Sequence, residues 1–324
     1  MDRRMAVFLA LACYAFLASG QNSLASNPAA PVPDPSRTPI QAIAVSPYDQ
    51  IYAGTFGNGL FASFDGGRTW ASRNGGLTNK NVFAIAAKSR QTVFVGTFGG
   101  GVYRSEGGRD WVGANEGMNS REVVCLDIDA RGRIYAGTST GQIFCSQDDG
   151  QNWTLVGDIG GYVNAIAINR DGEILAGTSH GIFLSETQGK EWSKADKGLT
   201  CQDVWSLTLN ANGHVFAATN GGGVYRSTDN GSSWREVNAG LTNRNAGSVA
   251  VCPNGNLFVG TTEGVFVSRN DGDSWNSFVA DPSNTSVRCL TIGFEGQLLV
   301  GTHWVDLFET NPVQPVPEEA EDGV

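Results

Sequence analysis

The stretch Val163–Trp192, VNAIAINRDGEILAGTSHGIFLSETQGKEW, decides the fold. Val163, Ala165 and Ala167 alternate with Asn164, Ile166 and Ile168, the two-residue period of a strand. Asn169-Arg170-Asp171-Gly172 reads as a tight hairpin turn, because Asp-Gly supplies the backbone that a two-residue connection needs. Ile174–Gly177 is a second strand, His180-Gly181 a turn, and Ile182–Leu184 a third strand. Glu186–Lys190 turns the chain again, and Trp192 opens a fourth strand. Four short antiparallel strands in so few residues describe one propeller blade.

The stretch is one of seven. Its Gly-Thr phrase occurs as Tyr52-Ala53-Gly54-Thr55, Phe94-Val95-Gly96-Thr97, Tyr135-Ala136-Gly137-Thr138, Leu175-Ala176-Gly177-Thr178, Phe216-Ala217-Ala218-Thr219, Phe258-Val259-Gly260-Thr261 and Leu299-Val300-Gly301-Thr302. From Gly54 onward the steps are 42, 41, 40, 41, 42 and 41 residues. A fixed period of this length marks a repeat architecture. Six of the eight tryptophans keep the same beat: Trp70, Trp111, Trp153, Trp192, Trp234 and Trp275. A blade cannot bury both faces alone, so neighbours must pack face to face in a ring. The composition agrees. With 43 glycines in 324 residues, a helical bundle is a poor fit. No every-third-residue glycine pattern supports a collagen helix. A content of 40% hydrophobic residues argues against disorder.

The turn before each tryptophan resembles the Asp-box of the BNR family, Ser-x-Asp-x-Gly-x-Thr-Trp. Ser63, Asp65, Gly67, Thr69 and Trp70 match it in full. Asp148 with Trp153, Asp229 with Trp234, and Asn270 with Trp275 hold the same places, whereas unit 4 has Thr187 and unit 2 has Glu106 nearby. A short acidic side chain in a turn accepts backbone N–H groups, so these residues are expected to be structural. A second echo precedes the next blade: Gly76-Leu77-Thr78, Gly117-Met118-Asn119, Gly198-Leu199-Thr200 and Gly240-Leu241-Thr242. The whole is similar to exported bacterial propellers, including periplasmic sensor propellers of two-component regulators. It is also similar to photosystem II assembly-factor propellers of the Ycf48 type, although its second-strand wording departs from theirs. The expected fold is an all-β, seven-bladed β-propeller of about 41-residue four-stranded repeats with Asp-box turns. Its glycines are assigned to Gly-Thr hairpins, linkers and the acidic turns. Unit 7 lacks both Asp-box and tryptophan, so three strands or a borrowed fourth are expected there.

Arg3 and Arg4, the apolar run Met5–Leu17 and the small residues Ala18-Ser19-Gly20 read as a secretory signal. The run is short for a membrane span of about 20 apolar residues. No stable membrane insertion is therefore expected after cleavage. Cys13 offers a faint lipoprotein site. The organisation is then signal 1–20, Pro/Ala/Ser-rich linker 21–39, propeller 40–310 and acidic Pro-rich tail 311–324. The expected location is periplasmic or secreted. The net charge of −10 and pI of about 4.8 exclude nucleic acid as a partner. Five cysteines remain after signal removal, an odd number that suits no disulfide framework, and no metal-ligand spacing occurs. Cys125 and Cys289 hold a small packing position. No cofactor is expected.

Scaffold positions are uniform between units, whereas one end of the ring is not. Before the innermost strands lie Lys80-Asn81, Arg121-Glu122, Gly161-Tyr162, Gln202-Asp203, Arg244-Asn245 and Thr285-Ser286. One residue into each strand stand Gln41, Phe83, Val124, Asn164, Trp205, Gly247 and Arg288. The loops after the Gly-Thr phrases add Phe56, Phe98, Thr140, His180, Asn220, Glu263 and His303-Trp304. Trp205 and Trp304 are off the repeat beat, so the scaffold does not account for them. The ligand-binding set is taken as Arg121, Asp203, Trp205, Arg244, Arg288, His303 and Trp304. It suits a protein or glycan partner held by a non-enzymatic monomer. The alternative is a glycoside hydrolase or polysaccharide lyase using Asp203, Glu122 or Glu263, or His180 with His303. The Asp-box also occurs in six-bladed sialidases. Their Arg-Ile-Pro motif is not matched by Arg37-Thr38-Pro39-Ile40, and no arginine triad or Tyr/Glu pair is recognisable. His214, at the hairpin of unit 5, is expected to be simply exposed.

Overall fold

The computed structural model describes residues 39–279, 286–293, 296–302 and 307–309. It is an all-β propeller. Units 1 to 6 each form a four-stranded antiparallel sheet in simple up-and-down order. In unit 4 the strands are Val163–Ile168, Ile174–Thr178, Gly181–Ser185 and Ser193–Lys194. The expectation of seven four-stranded blades is corrected. Six sheets are complete blades, and unit 7 forms a three-stranded sheet of Val287–Ile292, Leu298–Thr302 and Leu307–Glu309. The other units open their fourth strand just after an acidic turn and tryptophan, and unit 7 has neither. The signal, the tail and His303-Trp304 lie outside the described residues.

There is no single core. Apolar side chains gather in clusters that each span two adjacent sheets. One joins Tyr52, Leu60 and Ala62 of unit 1 to Leu77, Val82, Val93 and Trp111 of unit 2. Another joins Leu299 of unit 7 to Ile40, Ile51 and Trp70 of unit 1. The second strands, such as Ile51–Thr55 and Ile174–Thr178, are buried along their whole length. They sit in the middle of each sheet and are covered on both faces.

The Gly-Thr phrase is not a hairpin turn. Gly177 lies inside the second strand, and the structure gives the reason for glycine there. A Cβ on Gly177 would stand 2.7 Å from Val204 Cγ1, on the first residue of the next unit's innermost strand. The same approach recurs between Gly54 and Val82 (2.5 Å), Gly96 and Val123 (2.6 Å), and Gly260 and Val287 (2.3 Å). Gly301 meets Ile40 Cγ2 at 2.7 Å and so closes the ring. One interface is built differently. Unit 5 has Ala218 in place of glycine, and its neighbour has Ala246 in place of valine. The methyl group gained on one side is matched by the two lost on the other. The threonine of the phrase is buried, and its hydroxyl donates to the carbonyl that starts the third strand, as in Thr55 to Gly59 at 2.8 Å and Thr219 to Gly223 at 2.9 Å.

The tryptophans staple neighbouring sheets. The indole N–H of Trp153 donates to Ala114 O at 2.9 Å, that of Trp234 to Ala195 O at 2.8 Å, and that of Trp275 to Val237 O at 2.6 Å. Each acceptor belongs to the preceding unit. This contact also explains the linker echo. A Cβ on Gly117 would lie 2.2 Å from Trp153 O, and one on Gly240 the same distance from Trp275 O. Both glycines have positive φ, 85° and 80°.

The matched pair at units 5 and 6 generates a test. Gly260→Ala is expected to destabilise the ring by about 1–3 kcal/mol through overpacking against Val287. Adding Val287→Ala should recover part of that loss in urea denaturation. Equal stability of the wild type and Gly260→Ala would show that the contact does not constrain the interface.

Candidate functional site

Every innermost strand carries a β-bulge at the same place. In unit 5, Val204 pairs with Thr219 and Ser206 with Ala218, which leaves Trp205 without an opposite residue. Equivalent register shifts single out Gln41, Phe83, Val124, Asn164, Gly247 and Arg288. A bulge bends its strand and re-aims a side chain. The residues that vary from unit to unit are therefore the bulged ones, one per sheet, in a ring at the start of the innermost strands.

The adjoining loops sit at the same end, here the upper face. Phe56 bridges to Asn81, Phe98 to Glu122, and Asn220 to Asn245, each across a unit boundary. The carbonyls of Lys80, Arg121 and Arg244 each accept two amides from the preceding unit's loop, for example Gly221 N at 3.0 Å and Gly223 N at 2.9 Å on Arg244 O. The backbone of these segments is thus committed to holding the rim, which leaves their side chains free to differ.

Two groups of side chains meet on the ring. Arg288 places its guanidinium carbon 5.0 Å from the centroid of the Trp205 ring, two units away. Gly247 occupies the bulge between them and has no side chain to intervene. Arg288 Nε also donates to Gln41 Oε1 at 3.2 Å, across the boundary between units 7 and 1. Desolvation lowers the pKa of Arg288 from its ordinary value. On the next bulge, Phe83 lies between Phe56 and Phe98, with ring centroids at 6.1 Å and 5.5 Å. Phe56 is 50% exposed. Asn164 donates to Val204 O at 2.9 Å.

The remaining candidates are on the rim. Arg121 is exposed and has no ion pair among the described residues. Arg244 is paired with Glu236 at 3.3 Å, on the outermost strand of unit 5. Asp203 accepts from Asn220 Nδ2 at 3.0 Å, and Glu122 accepts from Ser139 Oγ. Glu263 and His180 are exposed, with His180 Nδ1 3.1 Å from Ser179 Oγ. His303 and Trp304 lie outside the described residues. The structure thus brings Trp205 and Arg288 together but leaves the acids Glu122, Asp203 and Glu263 on three separate units. Sequence reasoning named Gln41 and Phe83 as variable but did not choose them. Their position one residue into the strand was the available signal.

The Asp-box residues are engaged locally. Asp65 accepts from Ser63 Oγ at 2.8 Å, Thr69 N at 2.9 Å and Thr69 Oγ1 at 2.5 Å, and these bonds hold its carboxyl at about 2. Asp148 and Asp229 repeat the pattern with Asn152 and Ser233. Asn270 does so with Ser274, donating through Nδ2 where a carboxylate would accept. The tryptophans that follow, Trp70, Trp153, Trp234 and Trp275, are all buried. The next residue in several of these turns reaches the hairpin of the preceding unit. Asp271 accepts from Asn210 Nδ2 at 2.7 Å and Arg226 Nη1 at 3.0 Å, and lies 2.7 Å from His214 Nδ1. His214 is consequently half-buried and paired, not simply exposed as its hairpin position implies. Cys125, Cys145, Cys201 and Cys289 carry free thiols, and burial pushes that of Cys125 up to about 12. No group of His, Cys, Asp or Glu among the described residues could hold a metal ion. Among the described residues no helix is long and apolar enough to cross a membrane.

Uniform blades with Asp-box turns, carrying an unlike ring of side chains, define a BNR-type β-propeller. A family model described as photosynthesis system II assembly factor YCF48 matches residues 52–297, and the chain belongs to that family. The distinct second-strand wording therefore does not set it apart. The sequence matches no curated protein. Among solved structures, it is similar to YCF48 bound to D1 peptide, with 17% identity, TM-score 0.71, and coverage of 90% of this chain and 99% of that one. It is similar at 15% identity and TM-score 0.71 to the extracellular domain of a putative hybrid two component system from B. thetaiotaomicron, covering 90% of this chain but 40% of that one. A GH74 enzyme from Niastella koreensis matches at 18% identity and TM-score 0.66, over 84% of this chain and 43% of that one. At such identities the likeness is one of fold.

One titrating group lies at the opposite end of an innermost strand from its bulge. Asp127, on the innermost strand of unit 3, stands where other units have alanine or threonine. Desolvation pushes its carboxyl up to about 7, opposed by the Ile128 amide and assisted by Asp129. As pH rises from 3.8 towards 7, the unfolded carboxyl loses its proton while the folded one keeps it, so folding stability falls. Asp127→Asn should remove that part of the fall. Denaturation midpoints of both proteins measured across this range should diverge, and parallel curves would contradict the assignment.

Proposed function

We propose that this protein is an exported, non-enzymatic interaction propeller that holds a segment of a protein partner on its upper face. The observation that carries the reading is the ring of bulges. Seven equivalent positions are occupied by seven different residues on a scaffold that is otherwise nearly invariant between units. Backbone geometry requires a bulge there but no particular side chain, so the differences are available for recognition. A member of the same family, YCF48, has been solved with a D1 peptide, which supports a polypeptide ligand for this fold.

In this reading residues 1–20 are removed on export, 21–39 tether the propeller, and 311–324 form an acidic tail in the periplasm or outside the cell. The contact set is Trp205 and Arg288 with Arg121, Asp203 and Arg244 on the rim, completed by His303 and Trp304. The protein acts as a monomer.

The test is affinity capture from cell extract with the mature protein as bait. Replacing Trp205 and Trp304 together by alanine should reduce capture of the partner at least about tenfold, because buried aromatic anchors dominate such interfaces. Undiminished capture by the double variant, with its fold intact by circular dichroism, would remove the upper face from the interaction.

A further inference from the structure

The Arg288 guanidinium is held on two sides, and its third side has no partner among the described residues. Its face lies over Trp205, and its Nε is bonded to Gln41. No carboxylate among the described residues pairs with it, although it is half-buried. The Nη1 and Nη2 edge has no hydrogen bond among the described residues. A guanidinium in this state pays desolvation without a counter-ion, and its two Nη donors match the two oxygens of a carboxylate. The other charged candidates lack these features. Arg244 is already paired with Glu236, and Arg121 is exposed to solvent.

The neighbouring bulge supplies a second element. Gln41 belongs to unit 1, and the next bulged residue round the ring is Phe83 of unit 2, flanked by Phe56 and Phe98. Three phenylalanines at one point of a rim are not needed by the fold, since the corresponding positions in other units hold Val124, Ser139, Asn164 and Asn220. Phe56 keeps half its surface in water. The ring therefore runs from a cation, through an amide, to an aromatic shelf.

We infer that this sector binds a partner polypeptide through a carboxylate side chain seated on Arg288, next to an apolar side chain seated on the Phe56–Phe83–Phe98 shelf. The carboxylate takes the open Nη edge, and Gln41 and Trp205 fix the guanidinium plane in advance. Preorganisation of this kind reduces the ordering cost on binding. The inference rests on the upper-face reading above and specifies what that face selects.

The test uses fluorescein-labelled synthetic peptides that carry adjacent Phe and Asp within a neutral Gly/Ser sequence, measured by fluorescence anisotropy against the mature protein. Companion peptides replace the Asp by Asn or the Phe by Ala. The wild type should bind the Phe-Asp peptide at least about tenfold more tightly than either companion. Arg288→Gln should abolish the preference for Asp over Asn while keeping that for Phe over Ala. Phe83→Ala should do the reverse, which separates loss of a contact from loss of the fold. Wild-type affinities that are equal for all three peptides, or preferences untouched by both substitutions, would overturn the inference. If partner capture from extract still depends on Trp205 and Trp304 in that event, the upper-face reading stands and only this specification fails. If capture is independent of them as well, both fail.

Discussion

The contact between a glycine in the second strand and the valine or isoleucine that starts the next innermost strand sets the spacing of the whole ring. A Cβ at the glycine would come within about 2.3–2.7 Å of the neighbouring side chain, so the sheets approach as closely as a bare backbone allows. Apolar burial stabilises a fold in rough proportion to the area removed from water. In this protein nearly all of that burial lies between sheets. The Ala218–Ala246 pair shows that the constraint is on the sum of the two residues, and that each interface settles it locally. Closure through Gly301 and Ile40 uses the same contact. Units 1 and 7 therefore meet by packing, without exchanging strands among the described residues.

The two ends of the ring are used differently. On the lower side, polar residues are consumed in fastening one unit to the next. Asp271 illustrates this, drawing Asn210, His214 and Arg226 onto one carboxylate. On the upper side the backbone does the fastening, through carbonyls such as that of Arg244, and the side chains are released from structural duty. The bulge marks one such position per unit; at Gly247 it carries no side chain, and at Asn164 the side chain itself fastens to Val204 O of the next unit. A scaffold of this kind separates the residues that must be alike from those that can differ.

Much of this could be read from the chain. The recurrence of Gly-Thr and of tryptophan located the sheets, and the strand limits in unit 4 agree with the reading to within a residue or two. The missing Asp-box of unit 7 signalled its shorter sheet. Other features could not be read. Gly177 was placed in a strand, but nothing in the chain said why a glycine stands there, and its smallness answers to Val204 in the next unit. His214 looked exposed because hairpin tips generally are, and its partner Asp271 lies 57 residues away. In both cases the deciding neighbour belongs to a different repeat.

The sequence alone determined the repeat period, the strand order within a unit and the positions that differ between units, because these are properties of a period and need no knowledge of distance. Only the tertiary structure decided which of the differing residues act together. Trp205 and Arg288 stand two units apart along the chain, and Gln41 lies at its other end. They meet because the ring closes and because Gly247 leaves the space between them empty. That meeting depends on curvature and on an absent side chain, neither of which is expressed in a linear repeat.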